Sequence, residues 1–234
     1  MSFPKWPRRT PIWRQRNTGR FHLLSEGERV PLFEGAGQVI EVLYPAYGET
    51  PDLLGLGFNN MSSILRINGP GCSALLTGDI EPVGWQRLTK KDIQCSVLKF
   101  PHHGAWRDPN VGAILDTVRP STVIVSVGTE GHRYDHPNAH VFDALSKRGI
   151  ELLCTQATRR CGLIDELATR SALMKDFTAD TVSGGYGVTS ATGCPCAGTV
   201  VIDLADRPHV RQPSRAFHRD TIIKRYYPTH QCTF

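Results

Sequence analysis

At 234 residues the chain is long enough to bury a substantial core, as one domain or two small ones. Hydrophobic residues make up 40% and charged residues 21%, which fits a globular protein and excludes a disordered acidic or basic tract. No apolar run approaches the roughly 18 residues that a membrane span needs, and the basic N-terminus MSFPKWPRRTPIWRQR has no apolar core behind it, so it does not read as a secretory signal. The expected setting is soluble and cytoplasmic. The net charge of +5 suits an anionic partner such as nucleic acid. Much of the excess sits in two terminal clusters, Arg8, Arg9, Arg14, Arg16 and Arg20, and Arg207, Arg211, Arg215, Arg219, Lys224 and Arg225, which equally read as solvated tails.

Residues 1–36, rich in Pro, Arg and Gly, read as an irregular basic arm. QVIEVLYP is then a short β-branched run stopped by Pro45, a strand. A loop follows from Pro51 to Asn60, broken by Gly55 and Gly57. SSILRI and CSALLTG are two strand-like runs joined by Asn68-Gly69-Pro70-Gly71, a hairpin signal. After Asp79 the pattern predicts a helix with Glu81 and Pro82 in its first turn. CSVLKF (strand), VGAILDTV (helix), STVIVSVG (strand), HVFDALSKRG (helix ending at Gly149) and IELLCT (strand) complete an alternation that indicates a layered α/β architecture. The alternation lapses past Thr155. A last strand is expected in GTVVIDL, near 198–204, before a basic tail containing Pro and His. The expected division is therefore the arm at 1–36, an α/β unit at 37–164, and a Cys- and His-containing extension at 165–234.

Three segments place polar, metal-competent side chains just past buried strands: Leu75-Leu76-Thr77-Gly78-Asp79, Lys99-Phe100-Pro101-His102-His103-Gly104, and Ser126-Val127-Gly128 with His132 to Pro137. In a layered α/β sheet, loops beyond the strands' carboxyl ends build the active site. Imidazole nitrogen with carboxylate oxygen is a ligand set for zinc, iron or manganese. Taken singly, each piece has a plain structural reading. Asp79 would cap the following helix, His102-His103 would be a satisfied loop pair, and His136-Pro137 would open a helix. Their order and strand context make the combination more specific.

From roughly Val39 to Thr155 the sequence resembles the second half of the metallo-β-lactamase domain of ComEC-type DNA-uptake proteins and their soluble relatives. The matching pieces are IEVLYP, the Asn59-Asn60-Met61-Ser62-Ser63-Ile64-Leu65 run, LLTGDIE, SVLKFPHHG, VRPSTVIVSVG, Tyr134 with His136-Pro137, and FDALSKRGIELLCT. The resemblance implies half of an αββα sandwich, a mixed sheet flanked by helices. It also implies a site for one or two ions (zinc, or manganese or iron) at the sheet edge, where a metal-bound hydroxide attacks an ester or phosphodiester. Asp79 resembles the aspartate that bridges or binds the second metal. One of His102 and His103 resembles the histidine of the HHG element, and His136 that of the HP element, so Asp79, His103 and His136 are the expected catalytic positions. Lys99 or Arg133 would offset phosphate charge. In the family a Ser or Thr usually follows HHG; here it is Ala105.

The larger departure lies upstream. The family's first-metal motif, HxHxDH, occurs nowhere in this sequence, and the only histidine before residue 102 is His22. Asp79 and the later histidines alone would give two or three protein ligands, too few for a closed site, and half a sandwich leaves one sheet face for a partner to cover. The expectation is a truncated or split hydrolase whose N-terminal half is supplied in trans. The alternative is a non-catalytic descendant that binds nucleic acid or a partner. The seven cysteines, an odd number, argue against a disulfide framework. Cys72 and Cys95 read as buried small hydrophobes. Cys154, Cys161, Cys194, Cys196 and Cys232, lying with His218 and His230, are either a structural zinc site, free thiols or disulfide partners.

Overall fold

The computed structural model describes residues 25–31, 38–46, 55–89, 91–106, 108, 110–128, 136–161 and 196–227. Seven strands form one mixed sheet in sequence order: β1 Arg29–Pro31, β2 Val39–Tyr44, β3 Ile64–Asn68, β4 Ser73–Leu76, β5 Val97–Lys99, β6 Thr122–Val125 and β7 Glu151–Cys154. The first four run antiparallel, with a register irregularity between Val42 and Tyr44, and β4 to β7 run parallel. Parallel neighbours need crossovers. Helix α1 (Pro82–Trp85) lies between β4 and β5, α2 (Val111–Val118) between β5 and β6, and α3 (Ala139–Ser146) between β6 and β7. Crossovers of one hand that step in one direction put their helices on one face.

That face holds the main core. Leu75, Leu98, Val123 and Leu152 stand in register across β4 to β7. They pack with Val111, Ile114, Leu115 and Val118 of α2 and with Val141, Phe142 and Leu145 of α3. VGAILDTV is helical because its apolar residues recur at three- and four-residue spacing on one side, and it ends at Arg119 in the left-handed conformation. Each of those side chains contributes about 1.5–3 kcal/mol on leaving water. The α/β architecture with a mixed sheet flanked by helices is therefore as the alternation indicated.

The opposite face is carried by the row Leu65, Leu76, Lys99, Ile124 and Leu153. Among the described residues no crossover helix covers it, and Leu76 in this row is 36% exposed. The C-terminal extension reaches one margin of the sheet. Strands β8 (Val201–Asp203) and β9 (His209–Gln212) pair antiparallel. Leu204 passes the β3–β4 turn so closely that a Cβ on Gly69 would lie 2.2 Å from its carbonyl oxygen. Arg215 is ion-paired with Glu151 of β7.

Some segments differ from the sequence reading. Three residues of the irregular arm, Arg29–Pro31, form edge strand β1. The basic tail is ordered in part: it supplies β9, and Phe217–Ile223 form a π-helical segment running into a short helix α4, Lys224–Tyr226. Four cations of the C-terminal cluster have acidic partners: Arg211 with Asp203, Arg215 with Glu151, and Arg219 and Lys224 with Asp220. Those two guanidinium and ammonium groups hold the Asp220 carboxyl far below the usual carboxylate range. Cys95 is buried, whereas Cys72 is only partly so because it lies in the turn before β4. The N-terminal arginine cluster, Arg133, Cys194, Cys232 and His230 lie outside the described residues. Among those described, no helix is long and apolar enough to cross a membrane.

Candidate active site at the carboxyl ends of β4, β5 and β6

The loop after β4 is shaped by a glycine and a serine. Gly78 takes φ +53°, and a Cβ there would lie 2.7 Å from that of Ser62, so only glycine fits this turn. Ser62 in turn accepts the Asp79 backbone N–H at 2.9 Å. Asp79 does not cap the following helix; the N-cap residue is Glu81, with Pro82 in the first turn. Its carboxylate faces the neighbouring strand instead, 3.7 Å from Lys99 Nζ and 3.5 Å from His103 Nε2 through the same oxygen, Oδ1.

Glu81 is fixed by an asparagine pair from the 3-10 turn Phe58–Met61. Asn59 donates to its Oε1 at 3.1 Å and Asn60 to its Oε2 at 3.2 Å. The fully buried Asn60 also accepts from the N–H groups of Glu81 (3.3 Å) and Gly84 (2.9 Å) and donates to Leu56 O (2.8 Å). Tyr44 closes the network by donating its hydroxyl to Asn60 O at 2.7 Å. A buried amide is held inside an apolar core only when its polar atoms are satisfied, and here they are.

The loop after β5 is strained. His102 (φ 47°, ψ 46°) and His103 (φ 55°, ψ 20°) are both left-handed, and Gly104 follows at φ 78°. Such a conformation costs a non-glycine residue about 1–2 kcal/mol. Opposing contacts hold it: the His102 N–H donates to Gly78 O at 3.1 Å, and the Ala105 N–H donates to His102 O at 2.7 Å. Pro137 packs over Gly104, where a Cβ would lie 2.4 Å from the proline Cβ. A short 2.6 Å contact joins His103 Nδ1 to the Ser126 carbonyl at the end of β6. A carbonyl can only accept, so Nδ1 carries a proton, and Nε2 is the ring nitrogen turned toward Asp79.

At the last position of β5, the Lys99 ammonium donates to Gly78 O at 2.7 Å beside Asp79. Burial pushes its pKa down, and the neighbouring carboxylate partly offsets that shift.

The four residues singled out from the sequence therefore fall into two groups. Asp79 and His103 meet. His102 turns the other way, its Nδ1 3.7 Å from Glu81 Oε1, and its ring centre lies 6.3 Å from that of His136 as well as from that of His103. Glu81, read from the sequence only as a first-turn acid, emerges as the second carboxylate of the rim. The acid two positions past Asp79, combined with the Asn59–Asn60 pair, is the signal for it. His103 has the habit of a metal ligand, since its other ring nitrogen is anchored on a carbonyl. Among the described residues, however, no group of three or more His, Cys, Asp or Glu side chains converges to hold an ion. Even an open catalytic zinc site uses three protein ligands. These residues do not complete a metal centre.

The cysteines form a separate cluster. Cys196 and His218 are both fully buried, with Sγ 3.4 Å from Nε2. Cys161 accepts the Thr158 N–H at 3.4 Å and packs with Cys196 among Ala157, Ile222, Ile223 and Tyr227. Cys154 belongs to the main core.

Over 99 residues, 42% of the chain, the sequence is 34% identical to ComE operon protein 3 of Bacillus subtilis (strain 168). Over 100 residues, again 42%, it is 32% identical to competence protein ComA of Neisseria gonorrhoeae. These stretches span only 12% and 14% of the relatives' own lengths. No protein-family model matches the chain. The rim and its sheet thus lie in a chain that, over two fifths of its length, is similar to competence proteins.

Proposed function

We propose that this chain is the C-terminal part of a metallo-β-lactamase-type hydrolase module that acts on phosphodiesters of nucleic acid during DNA uptake. The observation that carries the reading is the pairing of Asp79 Oδ1 with His103 Nε2 at 3.5 Å across adjacent strand ends, with the histidine tautomer set by Ser126 O. Likeness to competence proteins supports the biological setting. The remaining donors for zinc, manganese or iron come from an N-terminal half outside these residues, which would pack on the sheet face around Leu76. What this chain contributes is orientation: Ser62 and Gly78 aim Asp79, Ser126 aims His103, and Asn59 and Asn60 aim Glu81.

The test is cleavage of bis-(p-nitrophenyl) phosphate with added Mn²⁺. The assay compares the chain alone with the chain plus the segment of ComE operon protein 3 immediately upstream of its matched stretch. The mixture should cleave at least about tenfold faster than either piece, and Asp79→Ala should abolish the gain. Cleavage that survives Asp79→Ala, or none under any combination, overturns the hydrolase reading. A second reading, a non-catalytic binding protein, draws on the Lys99 ammonium already beside Asp79. Undiminished binding of a single-stranded oligonucleotide without any cleavage would support it.

A further inference from the structure

Exposed apolar surface is concentrated beside the rim. Among the described residues the large hydrophobics that stand in solvent are Leu56, Phe58, Leu76 and Val83, and Phe58 is the extreme at 82% exposed. Leu76 belongs to the sheet face without helices. The other three gather around one buried side chain, that of Asn60. It donates to Leu56 O at 2.8 Å, stands two positions after Phe58, and accepts the N–H groups of Glu81 and Gly84, on either side of Val83 in the chain. The turn that carries Phe58 is also bonded to both rim acids. Asn59 and Asn60 donate to the Glu81 carboxylate, and Ser62, just past the turn, accepts the Asp79 N–H at 2.9 Å. At about 2 Å of rise per residue, Phe58 stands about 8 Å along the turn from Ser62. Its backbone is held on both sides: the Asn60 N–H donates to Gly57 O and the Ser62 N–H to Asn59 O, each at 3.1 Å.

We propose that Phe58 is the stacking platform for a base of single-stranded nucleic acid whose backbone runs past the rim. The proposal deepens the hydrolase reading and rests on it for the class of substrate. A phenyl ring held in water on an ordered turn adds nothing to the core, and an apolar patch edged by polar groups marks a contact surface. The size of the patch selects the partner. Three side chains, two of them only 39% and 47% exposed, fall short of the roughly 800 Å² that each partner gives to a stable protein interface. A nucleobase needs one flat apolar face, and a chain of net charge +5 suits the polyanion that carries it. The base must be unpaired to lie on the ring, so the strand is single. The side chains of Leu56, Phe58 and Val83 have no hydrogen-bonding group, so stacking here accepts any base.

The test is fluorescence anisotropy of the full chain in EDTA, titrated against a short labelled oligothymidylate and against an abasic oligomer of the same length. The abasic strand reports phosphate contacts alone. Phe58→Ala should weaken oligothymidylate binding at least about fivefold, Phe58→Trp should keep or tighten it, and neither should alter affinity for the abasic strand. Phe58→Leu, which keeps apolar bulk without a flat face, should also lose affinity, and it stands in for F58A should thermal melts show that variant to be unfolded. No binding of oligothymidylate by the wild type, undiminished binding by F58A and F58L, or an equal loss on both oligomers overturns the proposal. So does a protein partner at this patch: F58A would then bind both oligomers as the wild type does, yet lose the rate gained from the upstream segment of ComE operon protein 3. Failure of the hydrolase reading looks different. No combination would cleave bis-(p-nitrophenyl) phosphate, while the base-dependent loss in F58A would persist.

Discussion

Among the described residues, metal-competent side chains gather at the rim and in the extension, and the two groups are built in opposite ways. At the rim, Asp79 and His103 are 41% and 45% exposed, and His103 stands on a loop whose backbone is strained. In the extension, Cys196 and His218 are fully buried, and Cys196 packs with Ile222, Ile223 and Tyr227. A side chain that faces solvent from a strained loop adds little to folding; what holds it is the hydrogen bonding beneath it. A buried pair in an apolar cluster contributes to stability directly and is inaccessible to a substrate. The same residue types therefore indicate a site in one place and a structural core in the other. π-helical turns such as Phe217–Ile223 often accompany functional sites, but here the turn seats His218 inside a core.

The contrast can be broken most strongly from below the rim. Gly104→Ala puts a methyl 2.4 Å from Pro137 Cβ and 2.8 Å from its Cα, at a φ that L residues rarely adopt. Backbone strain and overpacking together should cost about 4 kcal/mol, read as a shift in the urea midpoint, and should displace the whole His102–His103 turn. A loss below about 1 kcal/mol would mean the turn is softer than it looks. Next in size is Asn60→Ala. It removes the amide that bonds Leu56 O, the Glu81 carboxylate and the N–H groups of Glu81 and Gly84. Stranding those partners, the buried Gly84 N–H among them, should cost about 3 kcal/mol. Asn59→Ala, which loses one contact to a half-exposed carboxylate, should cost well under half as much. Comparable losses in the two variants would show that the network is not centred on Asn60.

On the other side of the comparison, His218→Ala empties a fully buried position and deprives Cys196 of its neighbour. We expect a loss of about 2 kcal/mol from the cavity, equal in the presence and absence of a chelator. A chelator-induced fall in the melting temperature of the wild type that is absent in His218→Ala, with zinc found by mass spectrometry, would instead assign a structural ion to Cys196 and His218.

Periodicity made the fold legible where packing and pattern agree. VGAILDTV became α2 without change, and the runs around Leu75, Leu98, Val123 and Leu152 became the parallel strands. It failed where order comes from pairing rather than from pattern: Arg29–Pro31 is a strand only because β2 presents an edge, and β9 only because β8 does. The site was legible as a location but not as a geometry. That Asp79 and the histidine loop share one rim follows from strand ends in order. That His103 meets Asp79 while His102 turns to Glu81 follows from two successive left-handed residues, a conformation that sequence preference assigns to glycine. Lys99 and the Asn59–Asn60 pair owe their roles to contacts across 21 or more residues of sequence, which no local pattern encodes.

That left-handed pair supplies the smallest and sharpest prediction. If the strain at His103 serves the placement of a functional imidazole, relieving it should stabilise the protein while dismantling the site. His103→Gly at φ 55° removes the Cβ penalty and also the 2.6 Å contact to Ser126 O. The first gain is about 1–2 kcal/mol. The lost hydrogen bond, half-exposed, and the added flexibility of an unfolded glycine together take back about 1 kcal/mol. A net change of between 0 and about +1 kcal/mol is expected, against a loss of about 1 kcal/mol or more for His103→Ala, which keeps the strain and forfeits the bond. The order of the two variants matters more than either value. Alanine more stable than glycine at this position would mean the backbone is at ease there, and the claim that this loop is held under strain to present His103 to Asp79 would fail.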